Sequence, residues 1–267
     1  MTGETMTPPQ FELDKPIVIL AVPRSGSQLM RMLLNAHPHV FVAAYSNLLG
    51  ELSNPNVSWE RAGEMLRYEY DDTRRGPEHL SRFLRALYHS FWTASGEAEW
   101  LGKRSPSRWG FIHYAVPAEL QSISLSGLFP QARYLHIVRD GRNVVASWLA
   151  NWGVASVRMP VARRDPAAVA ELWVRWLRAA TAYAPLEIRL EDLHDPTRRS
   201  AAVASILTHC GLAASPALDA YVAALPFVNA EKQTVERWRT DLDPAALRAV
   251  LAVPGFAEEL ARHGYAE

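Results

Sequence analysis

Residues 16–38 read PIVILAVPRSGSQLMRMLLNAHP, and this stretch decides the fold. Residues 17–22 form a short apolar run rich in β-branched side chains, which is typical of a strand buried on both faces. Residues 29–34 then have the apolar spacing of a helix, which ends at NAHP. The stretch therefore predicts a strand, a turn and a helix, and the turn carries arginine, glycine and two serines.

A second strand-to-helix switch follows later in the chain. The sequence ARYLHIVRD, residues 132–140, predicts a strand that opens directly into a helix at GRNVVASWLANW. Residues 80–91 and 167–183 have helical spacing, and LEIRL, residues 186–190, predicts a third strand. The stretch LGKRSPSRWG is read as irregular, and short helices follow the third strand.

This alternation predicts an α/β fold, a single domain with a mostly parallel central sheet flanked by helices. We assign residues 16–267 to that domain and residues 1–15 to a flexible N-terminal segment. No internal repeat or linker is evident. In such a fold the ligands bind at the carboxyl ends of the strands, where both switches lie.

Composition limits the classes of function. The 267 residues are 49% hydrophobic and 21% charged, and 28 basic residues balance 28 acidic ones, so we expect no nucleic-acid or membrane partner and only a local basic site. No apolar run approaches the ~20 residues of a membrane-spanning helix. The polar start lacks the layout of a signal peptide, and the single Cys210 reads as a small packed residue, so we expect a cytoplasmic protein.

The first turn is suited to an anion. Its backbone N–H groups, its hydroxyls and the positive end of the following helix would surround the ligand. The residues concerned are Arg24, Ser25, Gly26, Ser27 and Gln28. An ordinary turn capped by serine is the alternative.

The second switch offers another anion site. Arg139 ends the strand and Ser147 follows eight residues later, so the two would face one phosphate if the chain turns sharply at RDGR. Alternatively, Arg139 and Asp140 form only a salt bridge and a cap at the start of the helix.

Together these segments resemble the sulfotransferases that use 3′-phosphoadenosine-5′-phosphosulfate. PRSGSQLMRMLLNAHP is similar to the family's 5′-phosphosulfate loop, LFPQARYLHIVRDGRNVVAS to its 3′-phosphate segment, and LEIRLEDLHDP also recurs in the family. The resemblance implies a P-loop-like sulfotransferase architecture and a sulfuryl transfer without a metal. It places the residues from Arg24 to Gln28 at the donor's 5′ end and Arg139 and Ser147 at its 3′-phosphate. Lys232 and Arg239 would lie over that phosphate, although Lys232 reads equally as a surface charge.

The chemistry requires cations at the leaving oxygen, because negative charge develops there during the transfer. The family uses a basic residue before Ser/Thr-Pro, and here the loop reads GKRSPSRW. Lys103 and Arg104 are both candidates, and the sequence does not decide between them. Arg108 is a further cation on this loop, or a solvent-exposed one.

The proton acceptor is a departure from the family. Relatives carry a glutamate shortly after HP, and that position falls near Tyr45, whose ordinary pKa of about 10 suits a base poorly. Glu51 is the nearest carboxylate, and His113 has a more suitable ordinary pKa of about 6.5. Otherwise the acceptor is itself acidic and needs no base.

Other functions remain as alternatives. A P-loop kinase of a small molecule would need GK[ST] in the first loop, which is absent, and a catalytically impaired nucleotide-binding protein would share the fold. A zinc site would draw on His37, His39, His113 and His136, but their spacing is unlike that of a ligand set.

We expect a small molecule with a hydroxyl or an amine as acceptor. Its pocket would be lined by Tyr68, Tyr70, Tyr88 and Trp92, unless these pack in the core. The oligomeric state stays open.

Overall fold

Parallel strands form the central sheet. The structure is a computed structural model, and it describes residues 15–43, 106–114, 126, 129–151, 165–224 and 236–265. Within these residues the strands are β1 (Ile17–Ala21), β2 (Val40–Val42), β3 (Arg108–His113), β4 (Arg133–Val138) and β5 (Leu186–Arg189). Their order in the sheet is β2-β3-β1-β4-β5. The central β1 pairs Ile19 with Ile112 of β3 on one side and with Leu135 of β4 on the other.

Helices cover both faces of this sheet. In chain order, the described helices are α1 (Ser27–Ala36), α2 (Gly141–Ala150), α3 (Pro166–Ala180), α4 (Leu190–His194), α5 (Pro196–Cys210), α6 (Pro216–Ala223), α7 (Trp238–Asp241), α8 (Pro244–Leu251) and α9 (Phe256–Arg262), with a 3-10 turn at Thr181–Tyr183. Alternate residues of β1 enter different cores. Val18 and Leu20 pack on the side of α2 and α3, and Ile17 and Ile19 pack on the side of α1 and α5. Because both faces are covered, every side chain of β1 is fully buried.

Aspartate followed by proline starts three of these helices. The side chains of Asp165, Asp195 and Asp243 accept hydrogen bonds from backbone N–H groups at the starts of α3, α5 and α8. Proline at the first helical position needs no N–H partner, and its fixed φ matches the helix. The sequence thus places these helix starts locally, before any tertiary contact is made.

The predicted α/β fold with a mostly parallel sheet is confirmed. The strands predicted within residues 17–22, 132–140 and 186–190 correspond to β1, β4 and β5, and the predicted helices after the two switches are α1 and α2. Cys210 is buried at the end of α5, as predicted for a packed residue. The helix expected over residues 80–91 and the aromatic residues suggested for an acceptor pocket lie outside the described residues.

Sequence reasoning missed β2 and β3. The stretch read as irregular contains the start of β3 at Arg108. Within β3, a Cβ atom on Gly110 would lie 2.3 Å from the Ile17 carbonyl oxygen, so only glycine allows this approach of the two strands. Glycine weakens the sequence signal of a strand, which explains the error. None of the described helices has the length and apolar character needed to span a membrane.

Candidate active site

The turn between β1 and α1 exposes backbone donors at the carboxyl edge of the sheet. Arg24 has a φ of 76° and Gly26 a φ of 99°, both in the left-handed region. Gly26 is the N-cap of α1 and has no side chain with which to cap it, and the N–H groups of a first helical turn have no acceptor within the helix. A Cβ at Gly26 would lie 2.5 Å from a methyl carbon of Leu190. The turn therefore depends on glycine and presents N–H groups to an anion.

The two serines of this turn form hydrogen bonds within the protein. Ser25 is buried, and both its backbone N–H and its hydroxyl donate to the Val22 carbonyl, at 3.1 and 2.6 Å. In this conformation the hydroxyl hydrogen closes the turn, and the contact of Ser25 with an anion stays a prediction. The Ser27 hydroxyl forms a short hydrogen bond with the hydroxyl of Tyr114. Gln28 is exposed, and its side chain accepts a hydrogen bond from Arg31.

The turn between β4 and α2 begins with a buried ion pair. Asp140 caps α2 by accepting a hydrogen bond of 2.8 Å from the backbone N–H of Arg142, and it also pairs with the guanidinium of Arg142 at 2.8 Å. Both side chains are buried. The alternative in which Arg139 pairs with Asp140 is therefore wrong, although the predicted cap is present. Arg139 instead donates from its guanidinium to the carbonyl oxygen of Arg24, at 3.0 Å.

The structure brings the two predicted anion segments together. The guanidinium Nε of Arg24 donates to the Ser147 hydroxyl oxygen at 3.0 Å, and Arg139 binds the backbone of the same arginine. Because the Ser147 oxygen accepts from Arg24, its own hydrogen can be donated to another acceptor. Arg139 and Ser147 thus both contact Arg24, and their joint contact with one phosphate stays a prediction.

The charges at this edge are partly withdrawn from water. Burial lowers the pKa of Arg139, the carboxylate of Glu191 raises it, and the positive charges of Arg24 and Arg237 lower it. An arginine remains protonated at neutral pH despite such shifts. Arg139 therefore keeps its positive charge, and a bound phosphate would add a second negative partner for it.

The late basic residues lie around Trp238. Two guanidinium groups contact the indole, with the Cζ atom of Arg142 4.4 Å and that of Arg239 4.3 Å from the ring centroid. Arg239 is exposed and pairs with Glu236. Its contact with a 3′-phosphate stays a prediction. Lys232 lies outside the described residues.

The predicted catalytic cations and bases are mostly outside the described part of the chain. Those residues are Lys103, Arg104, Glu51 and Tyr45. Arg108 is described, and it begins β3 at the amino edge of the sheet, where it donates to the Lys15 carbonyl. The strands are parallel, so Arg108 is at the opposite edge from the anion site, and the suggestion that it serves there is wrong.

His113 ends β3 at the carboxyl edge of the sheet, the same edge as the anion site, but it is buried. Its side chain is almost fully removed from solvent, and desolvation lowers its pKa to about 3. The argument from its ordinary pKa therefore fails for this ring, which remains neutral and weakly basic. The next residue, Tyr114, was missed by sequence reasoning because β3 was missed. Its contact with Ser27 places its hydroxyl beside the first turn.

The histidines named for zinc do not assemble a ligand set in the described residues. His37 accepts a hydrogen bond from the backbone N–H of His39, and His136 stacks on Trp176. No group of three or more histidine, cysteine, aspartate or glutamate side chains with metal-ligand geometry occurs within the described ranges.

Comparison with known proteins identifies relatives for most of the chain. A family model described as "Sulfotransferase family" matches residues 16–216. Protein-tyrosine sulfotransferase 1 of Danio rerio is 26% identical over 181 residues, which are 67% of this chain and 46% of that protein. The human protein of the same name is 26% identical over 171 residues, 63% of this chain and 42% of that protein. The matches therefore span less than half the length of these two relatives.

Solved structures share the fold. The sulfotransferase domain of the curacin biosynthetic pathway aligns with a TM-score of 0.53 at 17% identity, over 92% of this chain and 98% of that domain. The sulfotransferase domain of the Synechococcus PCC 7002 olefin synthase aligns with a TM-score of 0.51 at 19% identity, over 95% of this chain and 96% of that domain. At these identities the similarity establishes the architecture only.

Proposed function

Because this chain belongs to the sulfotransferase family, we propose that it transfers a sulfuryl group from 3′-phosphoadenosine-5′-phosphosulfate to a hydroxyl group or an amine. The observation that carries the proposal is the contact between the two anion segments: Arg24 of the first turn donates to Ser147, and Arg139 donates to Arg24. A donor with phosphates at both ends of one nucleoside needs two such segments within reach of each other.

The donor would lie along the carboxyl edge of the sheet. The N–H groups at the start of α1 suit the 5′-phosphosulfate, since they combine donors with the positive end of a ten-residue helix. Arg139 and the Ser147 hydroxyl suit the 3′-phosphate, because a guanidinium and a hydroxyl both donate to phosphate oxygens. Arg24 lies between the two segments and provides positive charge to either end.

The reaction is an in-line displacement at sulfur. The acceptor oxygen or nitrogen forms a bond to sulfur while the bond from sulfur to the bridging phosphate oxygen breaks, and the acceptor's proton passes to a base or to water. Negative charge develops on the leaving phosphate, so cations fixed nearby lower the barrier. Arg24 is the described cation in position to contribute, and Lys103 or Arg104 remains the predicted additional one.

The acceptor has two candidates. We expect the hydroxyl of a small molecule because the charge of the chain is balanced and indicates no overall basic surface for a sulfated polysaccharide. The names of the two curated relatives, protein-tyrosine sulfotransferases, favour a second candidate, the phenol of a tyrosine side chain. Both acceptors present an O–H group to the same site, so the donor site does not distinguish them.

Donor binding gives the first test. Adenosine 3′,5′-bisphosphate, the product after transfer, should raise the melting temperature, and ligand at a hundredfold excess over its Kd stabilises a protein by about 2.7 kcal/mol. Adenosine 5′-phosphate differs only by lacking the 3′-phosphate and should stabilise much less. Equal stabilisation by the two ligands would contradict the assignment of the site.

Transfer itself is measured with labelled donor and both acceptor classes, in the presence of EDTA. We expect sulfated product without added metal, because the first turn lacks the lysine and the hydroxyl pattern of a kinase loop. A strict magnesium requirement with ATP as donor would favour the kinase alternative. Selective donor binding without transfer to any acceptor would favour the catalytically impaired alternative.

The cytoplasmic location stays a sequence-based prediction.

A further inference from the structure

A carboxylate that no predicted role includes lies beside Arg139. Glu191 is in the first turn of α4, which follows β5 directly. Since β4 and β5 are parallel neighbours, with Val138 paired to Arg189, Arg139 leaves the sheet next to this turn. The Glu191 carboxylate accepts a hydrogen bond of 3.2 Å from the backbone N–H of Asp140. Glu191 is therefore bonded to the peptide that links Arg139 to Asp140.

The carboxylate is itself held from the other side. The Tyr265 hydroxyl donates to the second oxygen of Glu191 at 2.9 Å. The guanidinium of Arg189 lies 4.5 Å from the centroid of the Tyr265 ring, and the ring is buried. Burial raises the pKa of Tyr265, so the phenol keeps the hydrogen that it donates. Both oxygens of Glu191 are thus engaged, which leaves the side chain little freedom to move.

Charge couples this carboxylate to the anion site. Burial raises the pKa of Glu191, and its hydrogen bonds with Tyr265 and with the Asp140 N–H, together with the charge of Arg139, act in the opposite direction. Burial likewise lowers the pKa of Arg139, and the charge of Glu191 opposes that shift. The two side chains therefore favour each other's charged form at the edge of the sheet.

We propose that Glu191, held by Tyr265, is a positioning residue for the 3′-phosphate of the donor: it fixes the Arg139–Asp140 peptide and thereby directs the Arg139 guanidinium to the anion site. The proposal rests on the proposed function, since it assumes that Arg139 binds this phosphate. Glu191 touches no reacting atom and acts through Arg139 alone. The C-terminal Tyr265, 126 residues beyond Arg139, thus becomes part of the donor site.

The test compares two ligands that differ by one phosphate. Calorimetry gives the Kd of adenosine 3′,5′-bisphosphate and of adenosine 5′-phosphate for the full chain and for Glu191→Ala. We expect the variant to lose on the order of tenfold in affinity for the bisphosphate, the scale of one hydrogen bond near a charged group. Its affinity for adenosine 5′-phosphate should stay within about twofold. If Glu191 had only a general structural role, the substitution would weaken the binding of both ligands.

Three further variants separate geometry from charge. Glu191→Gln keeps an oxygen for the Asp140 N–H and should retain the preference for the bisphosphate within about threefold. Tyr265→Phe removes the hydrogen bond that holds the Glu191 carboxylate. It should therefore lose part of the preference for the bisphosphate over adenosine 5′-phosphate. Asp192→Asn alters the neighbouring carboxylate, which pairs with Arg198. This variant should change the affinity for neither ligand.

The outcomes distinguish this proposal from the function on which it rests. If the unaltered chain shows no preference for the bisphosphate, the donor assignment fails, and this proposal fails with it. If the unaltered chain shows the preference and Glu191→Ala keeps it, only the role of Glu191 is overturned. Should Glu191→Ala not fold, Tyr265→Phe decides, because an unchanged preference in that variant would equally overturn the proposal.

Discussion

Arg24 joins the two halves of the anion site through both its backbone and its side chain. Its carbonyl oxygen accepts from Arg139, and its guanidinium donates to Ser147. A φ of 76° is uncommon for a residue other than glycine, and such a conformation costs about 1–3 kcal/mol. The contacts with Arg139 and Ser147 hold the residue in that conformation. Strain of this kind is often found where a chain fixes a ligand-binding group in place.

The Ser147 hydroxyl gives the most selective prediction at this scale. Ser147→Ala should weaken binding of adenosine 3′,5′-bisphosphate by about 1.5–3 kcal/mol, because a hydrogen bond to a charged group is lost. Binding of adenosine 5′-phosphate should be nearly unchanged, and calorimetry measures both. Ser205→Ala is the control, since its exposed hydroxyl only donates to the Ala201 carbonyl of its own helix. Parallel losses for both ligands would show that Ser147 acts through the fold instead.

At the scale of the element, α2 supports the site through its first turn. Asp140 caps the helix and pairs with Arg142, and Arg142 in turn lies over Trp238 of α7. Asn143, also in this turn, accepts a hydrogen bond of 3.1 Å from the Trp238 backbone N–H. The start of α2 thus fastens the late segment of the chain beside the segment that carries Ser147.

Asp140→Ala should therefore strongly lower the free energy of unfolding. The substitution removes the cap and leaves the buried Arg142 guanidinium without its carboxylate, and breaking a buried pair costs about 3–5 kcal/mol. Asp165→Ala is a matched control, because Asp165 caps α3 through a hydrogen bond to Ala167 at an exposed position. A cap alone contributes about 1 kcal/mol. Urea unfolding of both variants measures the difference, and equal losses would mean that the ion pair adds nothing to the cap.

The sequence predicted the local elements of the fold but not the contacts between distant residues. The turn that contains Arg24 and Gly26 is local, so its residue types and the adjoining strand and helix were recognised together. The contacts of Tyr114 with Ser27 and of Tyr265 with Glu191 span 87 and 74 residues. No periodicity within one element reports such pairs, because they depend on the order of strands in the sheet. Ser25 shows a limit within one turn: its residue type suited an anion, but the local geometry of the turn directs its hydrogen to the Val22 carbonyl, three residues earlier.

At the scale of the whole molecule, the balanced charge of the chain leaves any attraction for an anion to local groups. The 28 basic residues equal the 28 acidic ones. Near the site, Arg142 and Arg237 pair with Asp140 and Asp241, and the charge of Glu191 acts on Arg139. A bound anion would therefore be attracted by the arginines at this edge and not by the net charge of the chain.

Acid should destabilise the folded chain through histidines that are buried or half-buried. Burial lowers the pKa of His113 to about 3, and it also lowers the pKa of His194 and His263. An unfolded histidine titrates near 6.5, so between about pH 6.5 and 3 the unfolded chain binds more protons than the folded one. The stability contributed by the neutral His113 is complete above that range and is lost as the pH falls through it.

The slope of stability against pH tests this assignment and bears on catalysis. Each such histidine adds up to about 1.4 kcal/mol per pH unit. Urea unfolding from pH 7 to pH 4 should therefore give a shallower slope for His113→Leu than for the unaltered chain, whatever the variant's absolute stability. His39→Gln is the control, since that ring is exposed. If His113→Leu keeps the full slope, the folded ring takes up its proton as readily as the unfolded one. His113 would then regain the basicity that a proton acceptor for the sulfuryl transfer requires.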